Sequence, residues 1–140
     1  MPQIQAQDLA KRFGRITALD RTNLTIEDGE YVAILGPSGC GKTTLIKILS
    51  GIWQPTGGRV FVDGRDVTSL PAEDRDLGYV FQNIVLFPHM DVWHNATYGP
   101  WVHDRHKEDV DHVGHEVLEL VDMLEERGMF PSELSTGSQQ

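Results

Sequence analysis

The chain has 140 residues, 39% hydrophobic and 24% charged, a composition that belongs to a folded, water-soluble domain and not to a disordered segment. Its longest apolar runs, such as Tyr31 to Leu35, fall far short of the roughly 18 residues that suggest a membrane span, and a single cysteine, Cys40, excludes an internal disulfide framework. The net charge of −9 is uneven: residues 1–60 carry 7 basic and 5 acidic side chains and residues 61–140 carry 5 and 16, which argues against a nucleic-acid surface and leaves any anion binding to a local site. With no basic or apolar leader at its start, the chain is expected in the cytoplasm.

In chain order, Ile4–Phe13 and Thr22–Ile26 have the rough polar and apolar alternation of short strands. Asp28-Gly29-Glu30 is a turn signal, and the run Tyr31 to Leu35 after it is apolar enough for a buried strand. Gly36 to Gly41 is a glycine-rich loop. Lys42 to Ser50 places Leu45, Ile46, Ile48 and Leu49 at helical spacing, with Gly51 as its stop. Arg59 to Asp63, Gly64, then Arg65 to Val67 predict a small hairpin. Leu77 to Phe81 is a further strand candidate. After Gln82 the chain is broken by Pro88, Gly99 and Pro100. A helix is then expected from a cap at Asp104 to about Arg127, along the stripe Val110, Val113, Val117, Leu118, Leu120, Val121 and Leu124, with Gly128 ending it.

One segment carries chemistry outright. Gly36-Pro37-Ser38-Gly39-Cys40-Gly41-Lys42-Thr43 matches G-x-x-x-x-G-K-[ST] at every fixed position, against a chance expectation of about 0.004 matches in a chain of this composition. The glycines let successive backbone N–H groups curl toward phosphate oxygens. The helix that follows offers its positive end to the same anion. Lys42 can reach the terminal phosphates, and the Thr43 hydroxyl suits Mg²⁺. Cys40 fills a variable position as a small side chain. A nucleoside triphosphate is therefore the expected ligand.

The loop is one of five segments that lie in one order: Asp8 to Gly14, the loop with Thr44 and Leu45 behind it, Gly78 to Asn83, Leu86 to Met90, and Pro131 to Ser135. Together they resemble the ATP-binding cassette (ABC) family of transporter ATPase subunits over essentially the whole chain. The stretch Val80 to Met90 is most similar to importers of polyamines, ferric iron, sulfate, molybdate or sugars. The resemblance implies an α/β fold, a P-loop NTPase core with a flanking antiparallel β-sheet and the start of a helical subdomain. Residues 1–83 would form the nucleotide-binding core and residues 84–140 the helical part up to the signature. It further implies that Phe13 stacks on adenine, that Gln82 approaches Mg²⁺ and the attacking water, and that Leu86 to Val92 meets a permease. In Leu134 to Gln140, which aligns with the signature, Ser135 and the backbone of Gly137 would bind the γ-phosphate of ATP held by a second ABC ATPase subunit in a head-to-tail dimer. A solute-binding protein would be an indirect partner, and the chain would lie on the inner face of the membrane through the permease.

Two departures qualify that picture. Thr136 stands where the family has glycine, and its branched side chain is expected to crowd the phosphate and to disfavour a positive φ, weakening the signature. The family's Walker B aspartate, catalytic glutamate and switch histidine follow the signature, and nothing follows Gln140 here. The expectation is a truncated chain of reduced stability that binds ATP without turning it over alone. A non-catalytic, regulatory nucleotide-binding module is the alternative. Asp63 ends an apolar run as a Walker B acid would, yet a hairpin turn follows at once and no glutamate adjoins it. His103, His106, His112 and His115, near Glu108, Glu116 and Glu119, could hold a metal, although the solvated face of an acidic helix is the simpler account.

Overall fold

The computed structural model describes residues 2–102 and 106–139. The chain divides into two compact units, residues 1–79 and 80–140.

The first unit is built on an antiparallel sheet of four strands: β1 (Ile4–Phe13), β2 (Ile16–Ile26), β3 (Gly57–Val62) and β4 (Arg65–Asp66), in the order β2-β1-β3-β4. One helix, α1 (Lys42–Leu49), is packed on it. Ala6, Leu9, Leu19, Val60 and Val67 meet Leu45, Ile48 and Leu49 in the core, with Leu9, Ile48 and Val60 fully buried. Strict alternation along β1 could not bury both Ala6 and Leu9, which lie three residues apart. A bulge resolves this: two residues of β1, one of them Asp8, oppose Asn23 on one side and two, Asp8 and Leu9, oppose Gly58 on the other. Asp8 adopts φ 46°, and its N–H donates to Asn23 Oδ1 at 2.8 Å. Gly58 sits at φ 81°, and a Cβ there would strike the Asp8 carbonyl, so both conformation and close approach require glycine.

The sequence placed β1, the helix after the loop and the 59–67 hairpin correctly. At the hairpin tip Asp63 (φ 48°) and Gly64 (φ 74°) are both left-handed, the pairing a tight two-residue turn requires. β2 is longer than Thr22–Ile26 and begins at Ile16. Its first half is irregular, with Ala18 left out of the ladder between Lys11↔Leu19 and Arg12↔Thr17, and Arg21 at φ 41°. Those irregularities scramble the alternation that would have announced the strand.

Two expected strands are corrected. Among the described residues nothing pairs with Tyr31 to Leu35, which runs on without a ladder. Ile34 packs against the core, while Tyr31 and Leu35 are 92% and 90% exposed. A run that is apolar on both faces needs cover on both, and only one face has it. Leu77 to Phe81 is likewise outside any strand, with Val80 exposed.

The second unit contains α2 (Val92–Val102), α3 (Lys107–Leu120) and the short α4 (Thr136–Gln139). α2 falls where a break was expected, and Gly99 and Pro100 lie inside it. Pro100 is in the last turn, where the lost N–H removes one bond near a frayed end and not in the middle. Asp91 starts this helix: its Oδ1 accepts the His94 N–H at 2.8 Å and sits 2.7 Å from His94 Nδ1. Burial by itself would raise the Asp91 pKa; the N–H groups and the imidazole bonding it outweigh this and hold it below the ordinary carboxylate value. α3 crosses α2 at Gly114, where a Cβ would lie 2.6 Å from the Thr97 methyl and 2.8 Å from the Trp93 ring.

α3 ends at Leu120, not near Arg127. Asp122 turns left-handed at φ 56°, its N–H bonding the Glu119 carbonyl at 3.1 Å while the Met123 N–H bonds that of Leu118 at 2.8 Å. This is the paired closure of a Schellman motif, with aspartate at the position glycine usually takes. Val121 and Leu124 continued the apolar stripe past the true end. The cap expected at Asp104, and His103, lie outside the described residues.

Candidate functional site

The glycine-rich loop meets α1 through Gly41, the N-cap residue, at φ 97°. A Cβ on Gly41 would sit 2.5 Å from the Ala18 carbonyl oxygen, on the residue that β2 leaves out of its ladder. Glycine is therefore required here twice, by conformation and by close approach. The helix start has no side-chain cap and no acidic residue in its first turn. Its first closing bond runs from the Leu45 N–H to the Gly41 carbonyl, 2.8 Å. By helix geometry the N–H groups of Lys42, Thr43 and Thr44 have no carbonyl of their own. Bare amides at the positive end of a helix suit an anion.

The cation belongs to the same loop. Lys42 Nζ donates to the carbonyls of Gly36 at 2.7 Å and Pro37 at 2.8 Å, and lies 3.6 Å from Cys40 Sγ. A Cβ on Gly36 would lie 2.8 Å from that sulfur, so a side chain there requires the exposed Cys40 thiol to rotate away. Pro37, Ser38, Gly39 and Cys40 are exposed along the crest, Thr43 is exposed in the first helical turn, and Thr44 is half-buried behind it. Every loop residue picked out from the sequence is thus gathered at one helix start.

Phe13 closes β1, paired with Ile16, two residues along β2 from Ala18 and so about 7 Å of strand from the contact with Gly41. Its ring is 43% exposed and stands edge-on to Trp53, centroids 5.1 Å apart. Lys11 Nζ lies 5.1 Å from the Phe13 ring and Lys47 Nζ 4.5 Å from Trp53. Sequence reading gave Trp53 no part in this cluster; a tryptophan just past a helix stop carried no periodic signal.

In the second unit Gln82 is exposed. Leu86 and Met90 are half-buried, and Phe87 packs on Tyr98 with centroids 4.5 Å apart. Asn95 pins this segment, accepting the Phe87 N–H at 2.8 Å and donating to the carbonyls of Phe87, Met90 and Asp91. Ser135 caps α4: its Oγ accepts the Ser138 N–H at 3.1 Å and lies 2.9 Å from Ser138 Oγ. Thr136 opens α4 with right-handed backbone, so the expected cost of a positive φ does not arise there. Gly137 is exposed beside it. Asp63 is a hairpin residue, its carboxylate accepting the Gln3 N–H at 2.8 Å. Among the described residues no three His, Cys, Asp or Glu side chains are grouped to hold a metal; His112 Nδ1 lies 3.7 Å from Glu116.

A family model described as ABC transporter matches residues 19–140. The chain belongs to the ABC transporter family. A spermidine/putrescine import ATP-binding protein, PotA, of Acidothermus cellulolyticus is 42% identical over 99% of this chain and 37% of its own length. An Fe(3+) ions import ATP-binding protein, FbpC, of Brucella suis is 45% identical over 96% of this chain and 38% of its own. The ABC chain described here therefore spans little more than a third of these curated relatives. Its fold matches the ATP-binding cassette MJ0796, solved as a dimer in a post-hydrolysis state bound to ADP and Pi. The TM-score is 0.83 at 29% identity, over 97% of this chain and 65% of that one. The α/β ABC fold expected from the motifs is thus found. Among the described residues no helix is long and apolar enough to cross a membrane.

Proposed function

We propose that this ABC chain binds MgATP at the Gly36–Thr44 loop as part of the ATP-binding subunit of an importer. One observation carries the reading: α1 begins on an uncapped glycine with its first amides bare, and the Lys42 ammonium at that helix start is held on the loop's own Gly36 and Pro37 carbonyls. The chemistry of the donors fits a polyphosphate, with main-chain N–H groups and Lys42 for the phosphates and the exposed Thr43 hydroxyl for Mg²⁺. Bound Mg²⁺ would neutralise phosphate charge. By the family resemblance alone, Gln82 would approach the metal as well. Phe13 would carry the adenine on its exposed face, held from behind by Trp53.

In the second unit, Ser135 and Gly137 would meet the γ-phosphate of a nucleotide on a second ATPase subunit, and Leu86 to Val92 would meet a permease served by a solute-binding protein. Residues 1–83 act in this scheme as the nucleotide-binding part and residues 84–140 as the helical part. The chain would work at the cytoplasmic face of the membrane. Relatives of nearly equal identity carry names for different solutes, polyamines and ferric ions, which supports solute choice lying outside these residues.

Titration with a fluorescent adenine nucleotide in the presence of Mg²⁺ tests the reading. Saturable uptake that Lys42→Ala abolishes is expected. No saturable uptake, or uptake that Lys42→Ala leaves intact, would overturn it.

A further inference from the structure

Arg75 is 3% exposed, and every hydrogen bond of its guanidinium goes to a main-chain carbonyl. Nε donates to Leu70 at 2.9 Å, Nη1 to Ile48 at 2.7 Å and Leu49 at 3.0 Å, and Nη2 to Thr68 at 2.9 Å. Among the described residues no carboxylate forms an ion pair with it, and a buried cation without one is costly unless fixed dipoles replace water. Two of these carbonyls are the last of α1, where the helix dipole is negative, so the charge is matched to its place. Gly51 makes room: a Cβ there would lie 2.7 Å from Arg75 Nε and 2.9 Å from the Ala72 backbone.

The remaining end carbonyls of α1 are also closed, that of Ile46 by the Ser50 N–H at 3.0 Å and that of Lys47 by the Trp53 N–H at 3.0 Å. Arg75 joins this end to the chain at Thr68 and Leu70. α1 has only 8 residues, too few to persist without tertiary support. Its opposite end carries the bare amides of the glycine-rich loop, about 12 Å away. Whatever lets the C-terminal turn fray or swing moves those amides as well.

We propose that Arg75 is a positioning residue for the nucleotide loop: it clamps the far end of α1 and so holds the amides of Lys42, Thr43 and Thr44 in register for phosphate. The inference rests on the nucleotide reading above. A lysine cannot replace it, because one ammonium cannot span carbonyls that a planar fork reaches in three directions.

The test compares wild type, Arg75→Ala, Arg75→Lys and Lys42→Ala by titration with a fluorescent ATP analogue and Mg²⁺, at a temperature where far-UV circular dichroism finds them folded. Both Arg75 variants are expected to bind about tenfold more weakly. Methylguanidinium at low millimolar concentration should restore Arg75→Ala and leave Arg75→Lys and Lys42→Ala unchanged, a recovery that general loss of stability would not produce. Should Arg75→Ala fail to fold, Arg75→Lys decides: wild-type affinity in the folded lysine variant overturns the role, and weakened affinity supports it. Wild-type affinity in folded Arg75→Ala, or weakening that methylguanidinium does not relieve, also overturns it. A wild-type protein that takes up no nucleotide refutes the site itself, a different result from intact binding in the Arg75 variants.

Discussion

Two glycines of the same loop make a controlled experiment. Gly39 and Gly41 are both left-handed, at φ 81° and 97°, but a Cβ on Gly39 would meet nothing within 4 Å while one on Gly41 would lie 2.5 Å from the Ala18 carbonyl oxygen. Gly39→Ala should therefore cost only the backbone preference, about 1 kcal/mol. Gly41→Ala incurs a similar backbone cost and must also displace a main-chain carbonyl, adding about 2 kcal/mol on the scale of overpacking. With a urea dependence of about 1–2 kcal/mol per molar for a small protein, the two unfolding midpoints should lie about 1 M or more apart. Urea titration followed by circular dichroism reads this directly. Coincident midpoints would refute the close approach of β2 to the loop, and with it the account of why glycine is needed at the helix start.

Asp91→Ala should lower stability by about 1 kcal/mol at neutral pH by uncapping α2, with Asp91→Asn retaining most of it. Because the folded pKa of Asp91 is held below its ordinary value, this contribution is present above that value and is lost as pH falls through the lowered one. Urea midpoints of wild type and Asp91→Ala should thus converge in strong acid. Gly114→Ala should destabilise the α2–α3 crossing by about 1–3 kcal/mol despite alanine's better helix propensity, with a change in near-UV circular dichroism from Trp93. Asp122→Gly should stabilise the protein by about 0.5–1 kcal/mol in thermal or urea unfolding, since glycine takes a left-handed C-terminal position without strain.

Where local chemistry decides structure, the sequence was legible. The 59–67 hairpin carries its turn in Asp63-Gly64, and the Gly36 to Thr43 loop carries its glycines and lysine at fixed spacing, so both were readable from a few residues. Elements that depend on distant partners were not. The Tyr31 to Leu35 run has the composition of a doubly covered strand, but composition does not say which faces receive cover. α2 was hidden by Gly99 and Pro100, although Asp91 ahead of an apolar and aromatic stretch was a usable start signal. α3 overran because Val121 and Leu124 kept the stripe going beyond an aspartate that closes the helix. Arg75 went unread because Asp74 and Asp76 on either side make it look like a solvated charge, whereas its partners are carbonyls, which have no sequence signature.

The bulge at Asp8 has a consequence for how the first unit assembles. Sliding β3 by a single position against β1 would bring either Arg59 or Gly57 to the spot that Gly58 fills. Arg59 would drive its Cβ into the Asp8 carbonyl, and either shift would turn Val60 out of the interior. The tolerated alignment is thus written into one pair of left-handed residues facing each other. The slip that brings Arg59 there would be rejected during folding by steric collision as well as by lost burial, and the slip that brings Gly57 there by lost burial alone.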